Sequence, residues 1–350
     1  MKAVWRWTLG LAAALIAVVG VVANGAWKSL SPPYKAFPGT SIELLIEPGA
    51  SARSILDQLE SAGLIADAFW TRLYLTRYLG DPSLKAGEYR FEGEHTVAEV
   101  LDKLIRGQVL THEVVIIEGL DLGEIAHHLA ISGFGSEVRF RRLMMRVEAI
   151  AALDPVATDL EGYLFPDTYA FVRGTSEAAI VTKLVATFLD RWHREVAPLL
   201  GKEPSLSPRQ LLTLASIVEK EAGVDSERPI IAGVYANRLR IGMGLYADPT
   251  VIYALKKAGT YDGNVRRQDL EVDSPYNTYR QPGLPPGPIC SPGLASLLAA
   301  AQPEEVPYLY FVSRNDGTHV FARTLAEHNR NVERWQKQYW RDEWARQRAN

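Results

Sequence analysis

ELLIEPGASARSILDQLESAGL, residues Glu43 to Leu64, reads as one strand, one turn and one helix. Ile42 to Ile46 is a short apolar run of strand type, Pro48 and Gly49 break it, and Ile55, Leu56 and Leu59 recur at helical spacing until Gly63. The layout returns 70 residues later in EVVIIEGLDLGEIAHHLAISGF, Glu113 to Phe134, where Glu, Ile, Gly, Ile, Leu and Gly fall at matching positions. An internal duplication accounts for this, and so do the shared requirements of any strand and helix unit. Between the copies lie a helical pattern from Phe69 to Leu79, a strand from Glu88 to Phe91, and a helix opened by Thr96. Glu99, three residues on, completes a capping box, and Gly107 closes that helix. Short strands mixed with helices specify an α+β class, with a small module at residues 41–110 and a larger mixed α+β domain at 111–340.

Toward the N-terminus, TLGLAAALIAVVGVVANGAW, Thr8 to Trp27, carries no charge. About 20 residues at about 1.5 Å each match the roughly 30 Å hydrocarbon core of a bilayer. Lys2 and Arg6 precede the run, and Trp5, Trp7 and Trp27 flank it. Residues 8–27 therefore read as a single-pass membrane helix with 1–7 cytoplasmic and the rest exported. A cleaved signal peptide is the alternative, because Ala23 and Gly25 are small, but the run exceeds the usual h-region of about 7–15 residues. KSLSPPYKAFPGT, residues 28–40, reads as a stiff linker, and 341–350 as a C-terminal tail.

Composition narrows the function. A chain of 350 residues with 47% hydrophobic content supports an ordinary core and about two domains. Cys290 is the only cysteine, so no internal disulfide is expected. The net charge of −3 is well mixed, which argues against a nucleic-acid partner. No histidine spacing suits a metal and no glycine-rich phosphate loop occurs, so neither metal nor cofactor is expected.

The chemistry concentrates in SPRQLLTLASIVEKEAG, Ser207 to Gly223, a helix with a well-marked N-cap and C-terminal glycine. At about 100° per residue, Leu211, Leu214, Ala215, Val218 and Ala222 form an apolar stripe, with Thr213, Ser216 and Lys220 opposite. Glu221 falls between Leu214 and Ile217 in the last turn, where desolvation and the helix dipole both raise a carboxyl pKa. A carboxylic acid protonated near neutral pH can protonate a glycosidic oxygen. Glu219, on the other edge of the stripe, is the rival, and both are surface glutamates in the blander reading, with Lys220 and Arg228 as partners. LEGYLFPDTYAFVR, Leu160 to Arg173, sets aromatics beside Asp167, which suits either a sugar or a capped turn at the core edge. GLPPGPICSPG reads as a rigid loop, and Tyr308 to Val312 as a buried strand.

Four segments in order, ASIVEKEAG, YANRLRIGMGLYADPTVIYAL, SPYNTYRQPGLPPGPICSPG and PYLYFVSRNDGTHVFARTLAEHN, resemble the endolytic murein transglycosylase family, also called YceG-like. The resemblance extends over essentially the whole chain and likens residues 41–110 to that family's LysM-like subdomain. It implies endolytic cleavage of the β-1,4 bond between N-acetylmuramic acid and N-acetylglucosamine in nascent peptidoglycan strands, with 1,6-anhydro ends and strand termination as the outcome. It implies Glu221, the second glutamate of the EKE triplet, as the catalytic residue. Glu219, Asn237, Arg238, Asp248, Tyr276, Asn277, Thr278, Tyr279 and His319 are the expected substrate-binding set; His328 lies in the same motif as His319, and Asp248 is also a natural turn residue before Pro249. Peptidoglycan synthases are implied partners, and the bacterial inner membrane with a periplasmic catalytic domain is the implied location. A non-catalytic, membrane-anchored peptidoglycan scaffold and a true hydrolase are the competing readings.

Overall fold

The computed structural model describes residues 2–30, 34–35, 41–201 and 205–341, with side chains described in these segments except at 2–13 and 34–35. The chain is α+β and divides into two compact units, Met1–His112 with Ala170–Gly174, and Glu113–Tyr169 with Thr175–Asn350.

The first unit begins with α1 (Lys2–Leu30) and β1 (Tyr34–Lys35), followed by β2 (Ile42–Ile46), α2 (Ala52–Ser61) and α3 (Ala68–Arg77). β3 (Gly87–Phe91), β4 (Glu94–His95) and α4 (Val97–Arg106) complete it. β2 and β3 are antiparallel, Ile42 opposite Phe91 and Ile46 opposite Gly87. Against them pack Ile55, Leu56 and Leu59 of α2 and Val100, Leu101 and Leu104 of α4, all buried. The expected capping box is present: Thr96 accepts from the Glu99 backbone, Glu99 reaches back to the Thr96 N–H, and Gly107 ends the helix at φ 68°.

At the start of the chain, Ser29 is buried and Leu30 packs against this same core. Lys28 to Leu30 thus continue α1, where the sequence predicts a linker, because the burial of Ser29 and the packing of Leu30 outweigh the extended preference of the prolines that follow. The rest of the expected linker, 31–33 and 36–40, lies outside the described residues apart from β1, as does 342–350 of the expected tail. Among the described residues no helix is long and apolar enough to cross a membrane, and the side chains of 8–13 in the expected span lie outside them.

The chain continues through β5 (Thr111–Val115), α5 (Leu122–Ile131), α6 (Glu137–Leu143), β6 (Thr168–Val172) and α7 (Glu177–Arg191). Next come α8 (Pro208–Glu221), α9 (Arg228–Arg240), α10 (Asp248–Ala258) and α11 (Leu294–Ala301). The hairpin β7 (Tyr310–Ser313) and β8 (His319–Ala322) and then α12 (Leu325–Val332) follow. The sequence repeat is visible locally: α2 and α5 are both ten residues long at the same 70-residue offset, N-capped by Ser51 and Asp121. The two copies belong to different units.

The second unit is organised around α8. Every residue from Leu211 to Val218 is buried, so Thr213 and Ser216, expected on a polar face, are interior. Their hydroxyls are satisfied locally, Thr213 donating to the Arg209 carbonyl and Ser216 to the Thr213 carbonyl. The Pro-Gly loop runs against this helix: the Ile289 N–H donates to Ser216 Oγ and the Cys290 thiol to the Ser216 carbonyl. Residues 160–166 of LEGYLFPDTY are also interior, Leu160, Tyr163, Leu164 and Phe165 among them, while Asp167 and Thr168 are exposed. The Asp167 Oδ1 accepts from the adjacent Thr168 N–H.

Candidate active site

Ser207 caps α8 in a full capping box with Gln210, and Pro208 stands in its first turn, so the helix start is fixed and its last residue is Glu221. Two residues beyond it, Gly223 permits a close approach. A Cβ at Gly223 would lie 2.2 Å from the Gly317 carbonyl oxygen in the β7–β8 turn. The hairpin therefore sits directly against the C-terminal end of α8. Between them and α9 opens a cavity of about 720 Å³, and Glu221 lines it.

Glu221 is half-buried, and burial is the main cause that pushes its carboxyl up to about 7, with Asp248 adding in the same direction. Tyr235 and Arg238 oppose that rise. The Tyr235 hydroxyl donates to Glu221 Oε1 at 2.9 Å. Tyr235 itself is fully buried on α9 and meets Phe311 edge to face at 5.8 Å. One carboxyl oxygen is thus pinned, and the other is left for proton transfer. Arg238, one turn on, donates from Nε to the Leu309 carbonyl at 2.7 Å and from a second nitrogen to the Leu245 carbonyl. Its guanidinium lies over the Tyr235, Tyr310 and Phe311 rings at 5.7, 5.8 and 6.0 Å.

Across the cavity, Asp248 opens α10 and accepts from the Tyr279 hydroxyl at 2.5 Å. Tyr279 packs edge to face on Tyr246 at 5.6 Å. Tyr246 has φ 50°, a left-handed backbone that costs a bulky L residue about 1–2 kcal/mol. Neighbouring bonds hold it there: Ala247 N–H donates to Thr278 Oγ1 at 3.0 Å, and Thr250 and Thr278 share a hydroxyl contact at 2.9 Å. The result is a half-exposed aromatic ring on the cavity wall. Tyr310 to Ser313 and His319 form the hairpin side of the wall, and His328 of α12 adjoins them. This is why Tyr308–Val312, expected as a buried strand, is instead β7 at Tyr310–Ser313 and half-buried: all four of its residues line the cavity. His328 stacks on Tyr310 at 5.3 Å, and burial followed by the Arg238 charge pushes its pKa down.

Of the expected site residues, Glu221, Arg238, Asp248, Tyr279 and His319 line this cavity together. The other five do not line it. Glu219 points elsewhere: its carboxylate pairs with Arg228 at 2.8 Å, both side chains buried, and accepts the Gly293 N–H at 2.9 Å. Asn237 donates to the Val306 and Tyr308 carbonyls, and Asn277 to those of Leu270 and Val272. Thr278 is buried beneath Tyr246, and Tyr276 packs on Tyr253 at 4.8 Å. The amide and hydroxyl chemistry that suits a sugar equally suits tying loops together, and here it does the latter. Tyr235, Tyr246, Tyr310 and Phe311 are cavity residues that do not figure in that set. Only the positive φ of Tyr246 marks one of them, and no periodicity reports it.

A second perturbed carboxylate, Glu161, lies away from the cavity. Burial pushes it up to about 8; it accepts from the Leu122 N–H at 3.0 Å and the Tyr253 hydroxyl at 3.0 Å. Its oxygens are engaged by the fold. Asp154 is likewise held by Tyr163 at 2.7 Å and Arg209 at 2.5 Å.

The model of the YceG-like family matches residues 44–334. An endolytic murein transglycosylase of Bacillus subtilis (strain 168) is 32% identical over 327 residues, 88% of each chain. An endolytic murein transglycosylase of Streptococcus pneumoniae serotype 2 (strain D39 / NCTC 7466) is 29% identical over 318 residues, and the match takes in 82% of this chain but 57% of that longer one. The crystal structure of a yceG-like protein from Listeria monocytogenes aligns with a TM-score of 0.54 at 34% identity, over 83% of this chain and 99% of that one.

Proposed function

The chain belongs to the YceG-like family, and on that premise we propose that it is a peptidoglycan lytic transglycosylase with Glu221 as its catalytic acid and base. The observation that carries the reading is a single half-buried carboxyl, held near 7 at the end of α8, on the wall of a cavity large enough for saccharide units. Protonated, Glu221 donates to the bridging oxygen between N-acetylmuramic acid and N-acetylglucosamine as positive charge builds at C1. Ionised, it takes the proton from the muramic acid C6 hydroxyl while that oxygen closes on C1. The C1–O bond to the leaving sugar breaks, a C1–O6 bond forms, and the proton count on Glu221 is restored. No water is consumed, and the nucleophile is already attached to the ring that it attacks.

Tyr235 serves both halves of the cycle. Its hydrogen bond stabilises the ionised form of Glu221, so the carboxyl is neither too basic to give its proton nor too acidic to take one back. Tyr246 and Tyr279 offer aromatic faces to pyranose C–H groups, while Arg238, Asp248 and His319 supply polar contacts.

The uncharged run Thr8 to Trp27 supports a single-pass inner-membrane anchor with a cytoplasmic N-terminus and the catalytic unit in the periplasm, which favours nascent strands over mature wall. Residues 41–110 act as a LysM-like glycan-binding module beside a catalytic domain at 111–340, and peptidoglycan synthases are the expected partners. Digestion of purified peptidoglycan with the full chain in detergent, followed by mass analysis, tests the activity. The expected products end in 1,6-anhydro-muramic acid. Products heavier by one water would show a hydrolase, and intact strands would leave a scaffold.

A further inference from the structure

Glu227 lies just before α9 and has both carboxylate oxygens committed to one residue of the hairpin. Its Oε1 accepts the His319 backbone N–H at 2.9 Å and its Oε2 meets the His319 Nδ1 at 2.7 Å. Both side chains are about nine-tenths buried. His319 lines the cavity that contains Glu221, and its ring is braced edge to face on Phe311 at 5.3 Å. An ionised carboxylate only accepts, so Nδ1 carries a proton and is the donor. In the neutral imidazole that leaves the lone pair on Nε2, which has no hydrogen-bond partner among the described residues.

We propose that Glu227 is a positioning residue that fixes His319 with its proton on Nδ1 and so presents Nε2 as a hydrogen-bond acceptor for a hydroxyl of the bound saccharide. The inference rests on the saccharide reading of the cavity. The Glu227 carboxylate does two separable things: through Oε1 it clamps the hairpin, which the Gly223–Gly317 approach also seats, and through Oε2 it sets the tautomer. A carboxylate is suited to both because it offers two acceptors and no donor.

Glu227→Gln separates the two. The amide oxygen keeps the bond to the backbone N–H, while the amide nitrogen, a donor, now faces Nδ1. The imidazole must then accept at Nδ1 and carry its proton on Nε2, which turns the cavity-facing acceptor into a donor. The experiment uses the full chain in detergent micelles, labelled with ¹⁵N-histidine, with the His319 signals assigned by their loss in His319→Gln. Nitrogen shifts report the tautomer, and binding of a GlcNAc-MurNAc tetrasaccharide is measured in the Glu221→Gln background, where turnover does not interfere. The expected result is a protonated Nδ1 with Glu227, a protonated Nε2 in Glu227→Gln, an unchanged thermal midpoint, and tetrasaccharide affinity about tenfold weaker, the scale of one lost hydrogen bond. Glu227→Ala, which also releases the clamp, lowers the thermal midpoint as well. Nε2 protonated in the parent overturns the proposal, as does a flipped tautomer with unchanged affinity. Equal losses of stability in Glu227→Gln and Glu227→Ala make the residue structural alone. Failure of the saccharide reading is distinct: the tetrasaccharide then binds neither chain while the tautomer shifts stand.

Discussion

Replacing Glu221 with glutamine removes a charge that the fold disfavours and keeps the shape of the side chain. Its amide oxygen still accepts from Tyr235, so the packing around α9 is undisturbed. Raising a carboxyl from its ordinary 4.5 to about 7 corresponds, at about 1.4 kcal/mol per pH unit, to about 3 kcal/mol between the fully protonated and fully ionised limits. Glu221 keeps part of its surface in the cavity, and solvent screening there leaves about half, 1–2 kcal/mol. The sign follows from proton affinity. The folded chain holds this proton more tightly than the unfolded one, so the contribution is complete below about pH 4.5 and is lost as pH rises through about 7. Glu221→Gln has no such loss. Its thermal midpoint should exceed that of the parent by about 3–6 °C near pH 8 and by much less near pH 5, while release of anhydro-ended products is abolished at both. Differential scanning fluorimetry across that range measures the gap directly. Glu161, pushed up to about 8, titrates in both chains and cancels from the difference. A gap that stays constant with pH, or a variant less stable than the parent near pH 8, would refute the claim that burial controls this carboxyl.

Tyr235→Phe deletes the one hydrogen bond that favours ionised Glu221, so the alkaline limb of kcat/KM should move up by about one pH unit; a limb that stays in place means that the 2.9 Å contact does not tune the acid. Glu219→Gln removes the buried counter-charge of Arg228, leaving it the exposed Asp225 carboxylate, and should lower unfolding free energy by about 3 kcal/mol in urea titration, with KM for glycan strands unchanged in the folded enzyme. A raised KM at full stability would instead put Glu219 in the cavity. Tyr246→Gly relieves the left-handed strain, about 1–2 kcal/mol against about 0.5–1 kcal/mol of added chain entropy, so the thermal midpoint should hold or rise while KM increases several-fold. A lower midpoint with normal KM would make the ring structural.

What the sequence could and could not reveal follows from the range of each signal. The caps of α4 and α8 are written in residues three apart, and local hydrogen bonding settles them, whereas α8 stops at Glu221, two residues short of the glycine expected to close it. The amphipathic reading of α8 fails at Thr213 and Ser216 because those hydroxyls bond within their own helix, which lets a nominally polar face turn inward against Ile289 and Cys290. Desolvation was expected at Glu221 from its angular position and is present. The same angular argument leaves Glu219 open: Arg228 is an expected partner of both glutamates, and nothing on α8 announces that it folds back onto Glu219 alone.

The split between the two glutamates is therefore a property of α9 more than of α8. Arg228 at one end of α9 neutralises Glu219, while Tyr235, two turns further, offers Glu221 a hydroxyl and no charge. Glu219, paired with Arg228 and accepting the Gly293 N–H, has its oxygens committed to the fold. Glu221, where burial outweighs the opposing effects of Tyr235 and Arg238, is held up near 7 and can work in both directions. The EKE triplet thus supplies two chemically identical groups, and the elements packed across them decide which one is tied into the fold and which one opens on the cavity.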